Sequence, residues 1–376
     1  MFTLIKKAQV YNPKPLGIKD VFISCGKIAA IEDNIEITGL SGVQIINAEG
    51  LLMIPGFIDQ HVHITGGGGE GSFGTRTYEI TPEELYKNGV TTVVGILGTD
   101  GVTRSISNLY AKARELETHG LTTYIYTGSY QVPPITLTGD VQKDLVYIDK
   151  VVGVGEIAIS DHRSFYPSVE ELSKIGAEAR VGGMIGGKAG VVHLHMGDGA
   201  DGLKSIFKVL DTTSIPPAQF VPSHVNRKKA LFNEAISFMD RGGYMDVTAG
   251  FEHEEGFMDC IPSYEALRRI VDMGKSLDRV TLSSDANGSA PSFDNAGNLI
   301  NLEVASCSKI LEDIRKAVFD GGIELSEVLK VITENPARLL KLKNKGIIDI
   351  GKDADFLLTD EKLNIMKVHT KYFLKN

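Results

Sequence analysis

The chain has 376 residues, 42% hydrophobic and 23% charged, the balance of a folded globular protein of about two domains rather than of a disordered chain. Its 39 lysines and arginines against 48 aspartates and glutamates leave a net charge of −9, which argues against a nucleic acid or an anionic membrane as partner. No apolar run reaches the roughly 18–20 residues of a membrane helix. The start, Met1-Phe-Thr-Leu-Ile-Lys-Lys7, turns polar too early for a signal peptide, so a cytoplasmic location is expected. Cys25, Cys260 and Cys307 are far apart and form no Cys-x-x-Cys pair, which excludes a disulfide framework and a thiolate zinc site.

Residues 1–54 read as short strands. Lys19 to Glu32 carries apolar positions on both sides of a Gly26-Lys27 turn, a hairpin pattern. The tail from Gly346 repeats the style in Ile347 to Thr359. Neither end is long enough to bury a core alone. The two ends are therefore expected to pair into one small β-sandwich domain, residues 1–54 plus 345–376, flanking a central domain of residues 55–344.

The centre alternates strand-like and helix-like segments. Candidate strands lie near 57–64, 90–97, 121–127, 152–160, 190–195, 219–224, 244–248 and 279–284. Thr81-Pro-Glu-Glu84 is a helix start, with threonine as cap, proline first and glutamate third. Lys228 to Arg241, followed by Gly242-Gly243, ends as helices often do. The alternation predicts an α/β fold, a (β/α)₈ TIM barrel, with a doubly wound open sheet as competitor.

The polar residues favour the barrel. His61 and His63 are two apart on the first strand and so share a face. Glu156, His195, His224 and Asp285 lie in or at the ends of strands four, five, six and eight. Such residues seldom sit in a β core unless paired or metal-bound. In a barrel these ends meet at one mouth, whereas an open sheet would spread them out. Nitrogen and carboxylate donors without thiolate suit Zn²⁺ or a similar divalent ion. Six ligands exceed what one catalytic zinc takes, so two divalent metal ions sharing a carboxylate fit better.

This pattern resembles the amidohydrolase superfamily, as do Pro55-Gly-Phe-Ile-Asp59 and Asp353-Ala-Asp-Phe-Leu-Leu358. Within it the chain resembles the isoaspartyl (β-aspartyl) dipeptidases almost end to end. The resemblance is carried by Gly56 to His63, Gly66-Gly-Gly-Gly-Glu70, Gly98-Thr-Asp100, Ser160-Asp-His-Arg-Ser164, His195-Met-Gly-Asp198, Ser223-His-Val-Asn-Arg227 and Ser283 to Ser289. The resemblance implies one metal on His61, His63 and Asp285, a second on His195 and His224, and Glu156 bridging them with a hydroxide. That hydroxide would attack the side-chain amide of a β-aspartyl dipeptide, with Asp285 as general base and acid and Tyr130 on the oxyanion. Glu70 would pair with the substrate amine and Arg163 and Arg227 with its carboxylates. Thr99 and Ser289 would add hydrogen bonds. A homo-oligomer is implied too. One departure stands out: these dipeptidases commonly carry a carboxylated lysine where this chain has Glu156, and Lys150 lies six residues earlier.

Other signals are set aside. Gly66, Gly68 and Gly71 fit G-x-G-x-x-G, but the next helix start, at Thr81, is too distant to serve a pyrophosphate. His162 reads as a neighbour of the site, and His193 as core or as support behind a ligand. His119, His253 and His369 read as surface or structural, and Glu252 to Glu255 as a solvated loop. The alternative function is a related amidohydrolase acting on a cyclic amide or an N-acyl amino acid. A barrel without metals serving as a scaffold is a third reading.

Overall fold

The computed structural model describes residues 2–252, 259–294, 298–371 and 374–375. Strands β1 (Phe2–Tyr11), β2 (Pro15–Ser24) and β3 (Lys27–Glu32) form an antiparallel meander. Ser24 pairs with Lys27, so the hairpin turns on Cys25 and Gly26, one residue earlier than the expected Gly26-Lys27. Both have positive φ, 51° and 72°, the twist that a tight two-residue hairpin needs.

β4 (Val43–Asn47) and β5 (Leu52–Pro55) lie parallel to the two halves of β1. The C-terminal strands, Phe356–Thr359, Ile365–His369 and Leu374–Lys375, add antiparallel onto β5. The chain ends therefore do pair, as one eight-stranded mixed sheet, where two stacked sheets of a sandwich were expected. Its core holds Ile5, Val10, Val21, Ile23, Met53 and Phe356. His369 is structural: its Nδ1 lies 2.6 Å from the Ala354 carbonyl and its ring stacks on Phe356.

The centre supplies β6 (Phe57–Val62), β7 (Val90–Gly95), β8 (Thr122–Thr127), β9 (Val151–Ile159), β10 (Val191–Met196) and β11 (Phe220–Ser223). These form one parallel sheet in chain order. β12 (Met245–Thr248) and β13 (Val280–Ser283) form a further parallel pair. Helices alternate with these strands and cover the sheet, so nearly every strand residue is buried, as parallel sheets require. The Thr81 cap is as the sequence predicts: Thr81 Oγ1 accepts from the Glu84 N–H, and Glu84 Oε2 accepts from the Thr81 N–H at 2.8 Å. The helix expected at 228–241 spans Lys229–Asp240.

The sheet curls until its ends meet. The segment after β13 pairs with the end of β6 through a parallel bridge between Val62 and Ala286. No strand pairing joins β11 to β12 among the described residues. Side chains close that gap. Asp246 on β12 accepts from Ser223 and Ser283 at 2.7 and 2.6 Å and from Gln60 and Thr281 at 2.8 and 2.6 Å. Asn226 accepts from the Thr248 N–H at 2.9 Å and donates to the Thr248 carbonyl at 3.0 Å. Among the described residues no helix is long and apolar enough to cross a membrane. His253 to Glu255 lie outside the described residues, while Glu252 pairs with Lys316 at 3.1 Å.

A buried ionic knot ties the terminal sheet to the central one. Lys345 Nζ lies against Asp355 and Asp353, the latter at 2.8 Å, and donates to Thr122 Oγ1 on β8 at 2.7 Å. Burial alone would pull the Lys345 ammonium down, but Asp355 and Asp353 hold it above its ordinary value. Removing one partner of such a cluster leaves uncompensated charge in the interior. Lys345→Met is therefore expected to destabilise the fold by about 3–5 kcal/mol, read as a lower midpoint in urea unfolding. A midpoint equal to that of the wild type would contradict this account.

Candidate active site

The C-terminal ends of β6, β9, β10, β11 and β13 gather the imidazoles and carboxylates singled out in the sequence. His61 and Glu156 are fully buried, as is His224, and His63 and His195 are nearly so. Glu156 is the hub. Its Oε2 lies 3.1 Å from His61 Nε2, 3.0 Å from His195 Nδ1 and 3.1 Å from His224 Nε2. Asp285 Oδ1 lies 3.0 Å from His63 Nε2 and 3.4 Å from His61 Nε2. Among the described residues three sets of donor atoms are close enough to hold a cation: His61/His63/Asp285 and His61/Glu156/His224 at the mouth, and His61/His193/Asp246 behind it. His195 touches Glu156 but stands outside all three sets.

Several of these atoms face each other without a hydrogen bond between them. His61 Nε2, Glu156 Oε1 and Asp285 Oδ1 are buried and have no hydrogen-bond partner. Lone pairs that converge on shared space rather than on donors fit a cation. The backbone makes room for it. A Cβ on Gly98 would lie 2.8 Å from His63 Cε1, and one on Gly288 would lie 2.5 Å from Asp285 Oδ1. His224 and Asp285 themselves have left-handed φ of 59° and 56°, the kind of local strain that concentrates at functional sites.

The electrostatics follow from burial plus proximity. Burial alone would raise the Glu156 carboxyl, but His61 and His195 hold it well below the usual carboxylate range. Asp285 is likewise pushed up by burial and held low by His61. Burial brings His224 down to about 3, which keeps its imidazole neutral. Burial alone would bring the His61 imidazole down, but Glu156 and Asp285 hold it well above its ordinary value, so a divalent ion bound there would take the place of that proton.

The expected substrate residues lie at the same mouth. Gly66 has φ 74°, and a Cβ there would lie 2.5 Å from the Thr77 carbonyl, so glycine is needed where the chain folds back after the histidine pair. Glu70, just beyond, accepts at Oε1 from Thr99 Oγ1 at 3.1 Å, Ser289 Oγ at 2.8 Å and Arg163 Nη1 at 3.3 Å. Its Oε2 is buried without a partner. Tyr130 Oη lies 2.8 Å from His195 Nδ1, and burial pushes its hydroxyl well above the ordinary value, so it stays a donor. Arg227 donates to the Met196 carbonyl at 3.0 Å. Arg163 and Arg227 line a cavity of about 340 Å³ together with His162, Tyr166 and Phe293. His162 is a neighbour in that wall, edge-on to Phe293, and not among the candidate metal ligands. Lys150 is remote from this cluster, paired with Glu117.

Three residues of the cluster carried no assigned role in the sequence, or only a loose one. His193 Nε2 lies 2.9 Å from His61 Nδ1, directly behind that ligand, and its ring stacks on Tyr126. Its alternation with His195 was the signal. Asp59, in the Gly-Phe-Ile-Asp stretch, accepts from Ser284 beside Asp285, and burial lifts its carboxyl to about 7. Asp161 lies between His195 and Arg163. It lies in the Ser160 to Ser164 stretch that carries the resemblance, but no role of its own was assigned to it.

Comparison with known proteins places the chain. The model of the amidohydrolase family matches residues 52–374. A crystal structure of β-aspartyl dipeptidase from Fervidobacterium islandicum, in complex with β-Asp-Leu dipeptide, is 48% identical. That match covers 100% of this chain and 96% of the other, with a TM-score of 0.93. A dihydroorotase of Elusimicrobium minutum is 27% identical over 98% of this chain and 90% of its own length. A deacetylase of Agrobacterium fabrum is 25% identical over 93% of this chain and 82% of its own. By its match to the family model and its likeness to the dipeptidase, the chain belongs to the amidohydrolase family.

Proposed function

We propose that this metal-dependent hydrolase cleaves the isopeptide bond of β-aspartyl dipeptides. The observation that carries the reading is Glu70. Its Oε2 is buried and unpartnered, while Arg163 and Arg227 stand at the same mouth. One unpartnered carboxylate oxygen beside two guanidinium groups fits a substrate with one ammonium and two carboxylates. An N-acyl amino acid or a cyclic amide has no ammonium to meet Glu70. The 48% identity to a dipeptidase crystallised with β-Asp-Leu supports the same substrate class. In this reading the central strands close as a (β/α)₈ barrel spanning residues 55–344, and both chain ends form a small β unit.

His61, His63, Glu156, His195, His224 and Asp285 would hold two divalent ions, Zn²⁺ in our reading, which when bound supply Lewis acidity and lower the pKa of water toward about 7. Glu156, with Oε2 beside three imidazoles and Oε1 without a partner, is the carboxylate that both ions would share. Asp285 Oδ1, free of hydrogen bonds, accepts the proton of the attacking water and passes it to the nitrogen of the leaving amino acid. Such acid–base help is worth about 10²–10⁴-fold. Tyr130 Oη donates to the oxyanion as the amide carbonyl becomes tetrahedral. Arg163 and Arg227 orient the carboxylates, a task suited to the guanidinium fork.

The deciding experiment is hydrolysis of β-Asp-Leu against α-Asp-Leu by zinc-loaded protein. Cleavage of the β-linked peptide alone is expected. Inertness toward both, with turnover of a cyclic amide or an acylated amino acid, would sink the reading. Chelation should abolish activity and Zn²⁺ should restore it, with about two ions per chain. Glu156→Gln is expected to bind fewer; full metal content in that variant would refute the bridging role. Glu70→Gln removes the partner of the substrate amine. Loss of a buried charge partner costs about 2–5 kcal/mol, so kcat/KM should fall by about 30-fold or more, whereas an unchanged value would assign the amine elsewhere.

A further inference from the structure

We propose that Asp161 is a positioning residue that couples the two halves of the site, fixing His195 for metal ligation and Arg163 for the substrate carboxylate. The inference rests on the dipeptidase reading above.

Asp161 follows the end of β9, just after Ser160, whose φ is 54°. The chain leaving β10 presses against it: a Cβ on Gly197 would lie 2.4 Å from Asp161 Cβ. Its carboxylate is 4% exposed and fully engaged. Oδ1 accepts from the Arg163 N–H at 2.7 Å and Nε at 2.9 Å, and Oδ2 accepts from Arg163 Nη2 at 2.8 Å. Oδ2 also lies 3.2 Å from His195 Nε2 and 3.9 Å from Arg227 Nη1.

Each contact has a consequence. His195 Nε2 faces Arg163 Nη2 at 3.3 Å, Arg227 Nη1 at 3.5 Å and Tyr130 Oη at 3.2 Å as well as Asp161 Oδ2 at 3.2 Å. The ionised carboxylate is the one group of these that only accepts, and it draws the proton of His195 to Nε2. The lone pair of His195 is then on Nδ1, which lies 2.8 Å from the donor Tyr130 Oη and 3.0 Å from Glu156 Oε2. That is the nitrogen which would ligate. A carboxylate behind a ligating histidine fixes its tautomer and ring orientation and raises its basicity. On the other side, Asp161 occupies the Nε–Nη2 edge of Arg163. This leaves Nη1 beside Glu70 Oε1 at 3.3 Å. The guanidinium is thereby set next to the carboxylate that would take the substrate amine. The same two oxygens thus locate a metal ligand and a substrate-binding cation.

The test uses the full chain with D161N, R163M and the double variant. Zinc affinity is measured by competition with a chromogenic chelator, in the absence of substrate. D161N should weaken it by about 10–100-fold, in the wild-type and the R163M background alike. With zinc saturating, D161N should raise KM for β-Asp-Leu by about tenfold in the wild-type background and scarcely further in the R163M background, since two changes acting through one group do not add. D161A should follow the same pattern, so the result does not hang on one variant. Zinc affinity of D161N within about twofold of the wild type, or KM penalties of D161N and R163M that multiply, would overturn the proposal. Wild-type protein that binds zinc but leaves β-Asp-Leu intact would overturn the dipeptidase reading and the Arg163 half of this inference. In that case the zinc measurement still decides the His195 half.

Discussion

A carboxylate with no accessible surface costs several kcal/mol unless positive or hydrogen-bonding groups meet it. Glu156 is such a group, fully buried in the middle of the parallel sheet. Three imidazoles from three other strands converge on one of its oxygens, and the other oxygen has no partner. Much of the local architecture serves this arrangement. Gly98 and Gly288 keep side chains out of the space, and His224 and Asp285 adopt left-handed backbone to reach into it. A site made this way is over-supplied with donors for protein hydrogen bonding and correctly supplied for cations.

The position matters because the resembling dipeptidases commonly place a carboxylated lysine there. Both groups present two oxygens, but glutamate carries them on a shorter arm. Here His61, His195 and His224 all stand within 3.0–3.1 Å of the same Glu156 oxygen. A lysine takes both carbamate oxygens from carbon dioxide, whereas glutamate carries its own, so no such modification would have to precede metal binding.

The strands and the histidine pair were legible because they are local patterns. His61 and His63 share a face by strand periodicity alone, and Thr81 to Glu84 announces its own cap. The central strands fall where the apolar runs predicted them. The hairpin was displaced by one residue because glycine at Gly26 marks the second turn position, not the first. The terminal sheet was harder: pairing of the two chain ends was readable, but not that β1 is wide enough to seat both β4 and β5 and merge everything into one sheet. His193 was marked by its alternation with His195, whereas Asp161 and Asp246 stayed hidden for a common reason. Each acts on a partner far away in the chain, and no neighbouring residue betrays that contact. Glu70, Arg163 and Arg227 were singled out through resemblance; periodicity alone would have left them as loop charges.

The junction between β11 and β12 has a consequence for how the molecule comes apart. Six central strands share a backbone ladder, but this join depends on Asp246 and Asn226 side chains. Side-chain seams are where sub-global opening starts, at a free energy below that of global unfolding. His224 and Arg227 sit on one lip of the seam and Asp285 belongs to the strand pair on the other. An excursion that parts the lips would disperse the ligands while the ladder from β6 to β11 stays intact. Amide exchange along the seam would then outpace exchange within the ladder, and a bound cation spanning the lips would act as a clasp, slowing that exchange by as much as its own affinity allows.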